Sequence, residues 1–297
     1  MKTFIKSGLA IIILFGFLNI DTAEARQTED LVPADTLDGW RLGWVANLNG
    51  SQASYRNWSK GGINSLSVVG SSQFTSLYRK DAFSYGLRIR TNFGQSRFQD
   101  EGVRKTDDRI SVRNQFLYDL GEDHVDFSIF ANINFETQFA EGYNYGAGPE
   151  GEDVLISNFM APAYLTQNAG LAYIPDESFS IQAGLGLKQT IVSDTDLSPR
   201  YGLDEGDNFF NEAGFTFGIM YEQSLMENVT YFGYVETFSN LNRSLRRTDV
   251  NFSNRLVGRI NDYLNMTFQF DLIYDDDFSD EVQLSQVLSA GLSIILF

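Results

Sequence analysis

The chain predicts an all-β fold, a transmembrane up-and-down antiparallel β-barrel of about 12 strands that follows a cleaved signal peptide. Three observations carry that expectation. Apolar and polar residues alternate with a period of two along many segments, most clearly at residues 125–139. The connections between those segments alternate strictly between short and long. The amino terminus, finally, reads as an export signal.

That signal comes first in the chain. Lys2 and Lys6 precede an apolar run from Gly8 to Leu18, and Ala23-Glu24-Ala25 presents small residues where a signal peptidase reads them. The run is about half the ~20 residues that a spanning helix needs, so cleavage after Ala25 is expected rather than anchoring. With no cysteine in the chain there is neither a lipidation site nor a disulfide framework. Residues 26–39 are polar, carry Pro33 and read as a short flexible lead.

Residues 40–297 form the expected barrel. Strand-like segments follow at Arg41 to Ser54, Asn64 to Tyr78, Phe83 to Phe93, Ile110 to Tyr118, Val125 to Phe139 and Phe159 to Tyr173. Six more follow at Phe179 to Ile191, Ala213 to Tyr221, Val229 to Phe238, Val250 to Ile260, Leu264 to Tyr274 and Leu284 to Phe297. In the fifth, Val125, Phe127, Ile129, Ala131, Ile133 and Phe135 share one face, and Ser128, Asn132, Asn134, Glu136 and Gln138 share the other.

Short turns are expected at Lys80-Asp81, Gly121 to His124, Pro175 to Ser178, Met226 to Asn228 and Asn261-Asp262. Long loops fall at Tyr55 to Ile63, Arg97 to Thr106, Ala140 to Ser157, Ser193 to Asp207, Ser239 to Thr248 and Asp275 to Val282. Long loops on one side, short turns on the other and an even strand number are the marks of an outer-membrane barrel. An even count also returns both termini to the short-turn side.

A soluble β-sandwich would share the alternation. Its strands are usually shorter, and here the polar faces carry charges: Arg88, Arg90, Arg113, Glu136, Lys188, Arg255, Arg259 and Asp271. These are the expected lumen-lining residues, able to pair across a hydrated interior. Net charge is −17, against a nucleic-acid partner, because phosphate binding needs a basic surface. The expected partners are outer-membrane lipid and lipopolysaccharide, with Phe297 as the aromatic terminus that barrel assembly machinery reads.

Several recurring motifs sit where strands meet long loops. They are Asn57-Trp58-Ser59-Lys60-Gly61-Gly62, Lys105-Thr106-Asp107-Asp108, Thr137-Gln138-Phe139 with Gly142-Tyr143, Ala161-Pro162-Ala163-Tyr164, and Ile273-Tyr274-Asp275-Asp276. They resemble the motifs of the domain-of-unknown-function 3078 family, secreted proteins of Bacteroidetes, over nearly all of residues 40–297. The resemblance implies a barrel of outer-membrane type and brings no activity with it.

The residues themselves must supply any chemistry. Trp58 before Gly61-Gly62 reads as an interface indole at a tight turn, with ligand stacking as the sharper alternative. Asp107-Asp108 and Asp275-Asp276-Asp277 offer carboxylate oxygens for a loop-bound divalent cation that bridges lipopolysaccharide phosphates. No spacing matches a calcium loop, so solvated acidic clusters are the plain alternative, and neither a metal nor any other cofactor is expected.

No catalytic residue is assigned. The single histidine, His124, falls in an expected periplasmic turn, opposite the outer rim where barrel hydrolases carry their base. The leading expectation is a small channel for small polar solutes in the outer membrane of a Gram-negative bacterium. A closed structural barrel acting through its long loops is the alternative, and a barrel hydrolase is the least favoured.

Overall fold

The computed structural model describes residues 31–54, 64–99, 102–121, 126–241, 248–275 and 281–296. The signal segment, the Asn57–Gly62 motif, His124, Asp276 and Phe297 lie outside the described residues.

Twelve antiparallel strands close into one barrel. In chain order the strands are β1 (Gly39–Ala53), β2 (Ser65–Lys80), β3 (Phe83–Phe98), β4 (Gly102–Asp119), β5 (Phe127–Thr137), β6 (Gly142–Asn144) and β7 (Val154–Ser157). They continue as β8 (Ala163–Asp176), β9 (Phe179–Ile191), β10 (Phe209–Met226), β11 (Val229–Asn240), β12 (Thr248–Arg259), β13 (Leu264–Tyr274) and β14 (Gln283–Ile295). Each barrel strand pairs with its chain neighbour, except that β5 pairs with β8, because β6 and β7 form a separate two-stranded hairpin between them. β1 pairs with β14 to shut the barrel, from Val45 opposite Ile295 to Asn49 opposite Gly291. Closure matters because a sheet in hydrocarbon leaves backbone donors and acceptors unsatisfied at any free edge.

The two-residue period sends one set of side chains out and the other in. Outside, Leu48, Ile129, Leu171, Leu185, Phe215, Leu284 and Leu288 are all at least half exposed. A water-facing surface of that kind would be an aggregation hazard, whereas in a bilayer it is the matching solvent. Near the short turns the outward residues become aromatic. Trp40 packs on Tyr78 at 4.7 Å, Tyr85 on Phe116 at 5.0 Å and Phe127 on Tyr173 at 5.1 Å. Trp and Tyr favour the headgroup level, so these pairs form a girdle at one interface.

Buried apolar side chains gather at the two ends of the interior. Toward the short-turn end Leu117, Phe130 and Ala172 pack with Val32 and Ile174. Under the long loops Ala161, Val192, Leu197, Tyr201 and Leu203 pack with Leu155 and Phe210.

Three stretches depart from the sequence reading. The long loop expected at 97–106 is mostly strand, because β3 and β4 stay paired to Phe98 and Gly102 and leave only residues 99–101 between them. Residues 31–34 do not follow the flexible lead expected for 26–39: Leu31 is 6% exposed and Pro33 is fully buried. Their burial follows from the apolar Leu31-Val32-Pro33 run, which finds an apolar patch inside the barrel. The long loops expected at 140–157 and 193–207 contain structure, the β6–β7 hairpin and a 3-10 helix at Thr195–Tyr201 that ends on Gly202 with φ +78°. Only glycine adopts that left-handed turn without strain.

Candidate functional site: the barrel lumen

The lumen is built by register. Arg88 on β3 is 6% exposed and stands opposite Arg113 on β4, so both face inward. Arg90 lies two residues on and donates from Nε to Gln73 Oε1 at 3.0 Å. Glu136 on β5 stands opposite Ser111, again the inward face of β4. Arg255 lies opposite buried Phe232, with its guanidinium 5.7 Å from that ring. Asp271 accepts from Ser253 Oγ at 2.5 Å and from Gln269 Nε2 at 2.8 Å. Arg259 shares the inward parity of Arg255 and stands at the short-turn end of β12, exposed.

Lys188 is held by several carboxylates at once. Its ammonium donates to Asp249 Oδ2 at 2.7 Å and Asp275 Oδ2 at 2.9 Å, and lies 3.9 Å from Glu212. Asp249 sits on β12, three strands from β9, so this cluster spans the interior rather than one ladder. Asp275, a candidate cation ligand in the sequence, is therefore held by an ammonium. Glu212 takes a further hydrogen bond from Asn240 Nδ2 at 2.6 Å.

Between the two ends lies a cavity of about 80 Å³, lined by Arg88, Arg113, Asn132, Asn168, Thr216 and Tyr234 among others. Asn132 donates from Nδ2 to Gln182 Oε1 at 2.9 Å. Asn132 Oδ1, Asn168 Oδ1 and Thr216 Oγ1 are buried and have no hydrogen-bond partner among the described residues. Buried polar oxygens without partners call for water or a hydroxyl-bearing guest. The Arg113 guanidinium lies 5.6 Å from the Tyr234 ring, which fixes one wall of the chamber.

Below the chamber the lead lies against the inner face of β3. A side chain on Gly86 would sit 2.5 Å from the Leu31 carbonyl oxygen and 2.6 Å from Leu31 Cβ. Glycine is therefore required for the lead to lie against β3. Arg79 on β2 donates to Asp119 at 2.9 Å and reaches Asp35 at 2.9 Å. Asp35 is largely exposed, so that second contact adds little stability.

Above the chamber the long loops are fastened to the rim. Asp108, with its side chain 2% exposed, accepts from Lys105 Nζ at 2.9 Å, from Phe139 N at 2.7 Å and from Ala140 N at 2.9 Å. Gln138 donates to the carbonyls of Asn158 and Ala161, and Thr137 Oγ1 donates to Pro162 O at 3.0 Å. Tyr201 Oη donates to Ile156 O at 2.6 Å, and burial pushes its phenol up to about 12 against the opposing influence of Arg200. The motif residues Lys105, Asp108, Thr137 and Gln138 are thus the fasteners of the outer loops. Thr106 lies on β4 beside Asp107, Phe139 meets Phe93 edge-on at 6.5 Å, and Tyr274 closes β13 opposite Val250.

Part of the chain matches a family model. Residues 50–143 match the model of DUF3078, a protein family of unknown function. The DUF3078 match takes in β2 to β5 and the motifs from Asn57 to Tyr143; the Ala161–Tyr164 and Ile273–Asp276 motifs lie beyond it. No curated protein matches the chain. An outer-membrane channel of Pseudomonas putida F1 is similar at 12% identity and TM-score 0.40, over 90% of this chain and 99% of that one. The translocator domain of the autotransporter NalP from Neisseria meningitidis has 12% identity and TM-score 0.35, over 87% and 88%. The NanC porin has 8% identity and TM-score 0.38, over 84% and 97%.

Sequence reasoning missed four participants. Arg109, not one of the arginines singled out, pairs with Glu136 at 3.4 Å. Asp249 carries the shortest contact to Lys188. Phe130 and Leu117 are apolar residues on inward positions, and their interruption of the polar face was the available signal. The apolar Leu31-Val32-Pro33 run is what those two residues receive.

Proposed function

We propose that the protein is an integral outer-membrane barrel that passes small polar solutes through its lumen. The observation that carries the reading is the pairing of an apolar exterior with an interior of arginines, amides and hydroxyls around a chamber with unsatisfied oxygens. A barrel serving only as a scaffold would gain by filling that space with packed side chains, as small barrels often do. The export signal expected at Met1 to Ala25 supports the compartment.

The reading is non-catalytic. Glu136, Asp271 and Glu212 are each held by hydrogen bonds or an ion pair to inward neighbours, as structural carboxylates are. Purified protein in planar bilayers tests the proposal. Discrete openings in salt, with charge selectivity set by the lumenal arginines, support it; a folded, inserted barrel that never conducts would sink it.

A further inference from the structure

We propose that residues 31–34 are a built-in plug, and that the periplasmic half of the lumen is a receptor for this segment whose release opens the barrel. The inference rests on the channel reading above. Three observations carry it, none of them from the outer loops.

First, the lead lies inside the barrel. Gly86 shares the inward register of Arg88, and Leu31 sits directly on it, with its carbonyl oxygen 2.5 Å from where a Cβ would stand. Second, the wall is shaped and coloured for an apolar guest. Inward positions near the short turns should be polar in a water-filled pore, yet Leu117, Phe130 and Ala172 are there, and Val32 and Ile174 pack against them. Phe130 is 1% exposed, Leu117 3% and Ala172 0%, so with the lead in place the patch is shielded from water. Third, Leu31 also lines the chamber that holds Arg88 and Arg113, so the plug lies at the chamber's periplasmic side.

The attachment is suited to release. Only a short segment is docked, and the Arg79–Asp35 pair beside it has an acidic side chain that is 86% exposed. Segments with few buried contacts open locally without unfolding the rest. A pull on the polar residues that precede Leu31 would withdraw it toward the periplasm and leave the Leu117–Phe130 patch facing the pore.

Two variants of the full chain test this in planar bilayers. Gly86→Leu places a side chain where the Leu31 backbone lies; Val32→Asp puts a charge into the apolar patch and leaves the wall intact. Heat-modifiable migration confirms that each is folded. Because the chain has no cysteine, Leu31→Cys gives a single labelling site, read with a membrane-impermeant maleimide. The expected result is slow labelling of Leu31→Cys alone, labelling about tenfold faster when Gly86→Leu or Val32→Asp is added, and more frequent openings in both variants. Fast labelling in the otherwise unaltered chain overturns the plug. So does wild-type conductance equal to that of both variants, a result that leaves the channel reading standing. Released lead with silent barrels contradicts the channel reading and the gating role with it.

Discussion

Lys188 on β9 holds Asp249 on β12 through a 2.7 Å contact between strands that are not neighbours in the sheet. Asp275 joins from the end of β13 at 2.9 Å, and together they tie one wall of the barrel to another. Removing the cation would leave carboxylates facing one another at low exposure. Lys188→Met is expected to destabilise the folded barrel by about 2 kcal/mol, below the range for a fully buried pair because both aspartate side chains are 19% exposed. The melting of the heat-modifiable form reads this. Adding Asp249→Asn to Lys188→Met should recover part of the loss, since it removes one of the carboxylates that face one another.

Asp108 fastens the loop after β5. Its carboxylate serves one ammonium and two backbone amides, and Asp108→Ala leaves the Phe139 and Ala140 amides without an acceptor. A local loss of about 2–4 kcal/mol is expected. Hydrogen exchange at those two amides should accelerate while exchange in β9 and β13 is unchanged.

Tyr201 makes the outer loops alkali-sensitive. Its phenol titrates at about 12 in the folded loop, above the unfolded value of about 10. Below pH ~10 both states are neutral and the contribution is fully present; between pH ~10 and ~12 the unfolded loop ionises first, and the contribution is lost as pH rises through the folded value. Protease cleavage within 140–162 should rise over that range, and Tyr201→Phe should flatten the dependence while losing the 2.6 Å bond to Ile156.

Lumenal charge should set selectivity. Arg88 and Arg113 stand opposite each other at the chamber wall. Arg113→Glu should shift the anion-to-cation permeability ratio toward cations by up to about tenfold, the ratio that ~1.4 kcal/mol gives. Reversal potentials in a salt gradient measure it, and an unchanged ratio would place the conducting path elsewhere.

The barrel was legible because a period-two pattern repeats wherever one face meets lipid and the other water. β9 and β13 begin and end where the alternation does, at Phe179–Ile191 and Leu264–Tyr274. β4 and β10 run further than their apolar alternation, to Gly102 and Met226, because polar strand ends beyond the bilayer still pair with their neighbours. The lumen was readable as a face but not as a set of partners. Lys188 finds Asp249 across the interior, 61 positions along the chain, and no local spacing encodes such a pair. The docking of Leu31-Val32-Pro33 was hidden for another reason: three apolar residues in a polar stretch gain meaning only once Gly86 and Phe130 are seen to face inward.

A spin-label scan of β5 tests most directly whether this chain divides lipid from a polar lumen. Cysteines placed singly from Ser128 to Glu136 in the cysteine-free chain, reconstituted in vesicles, report contact with oxygen in lipid or with a water-soluble nickel chelate. Labels at Ile129, Ile133 and Phe135 should favour oxygen, and those at Asn132, Asn134 and Glu136 should not, giving a two-residue alternation. Uniform contact with the nickel chelate at every position, in protein that stays soluble, would contradict it.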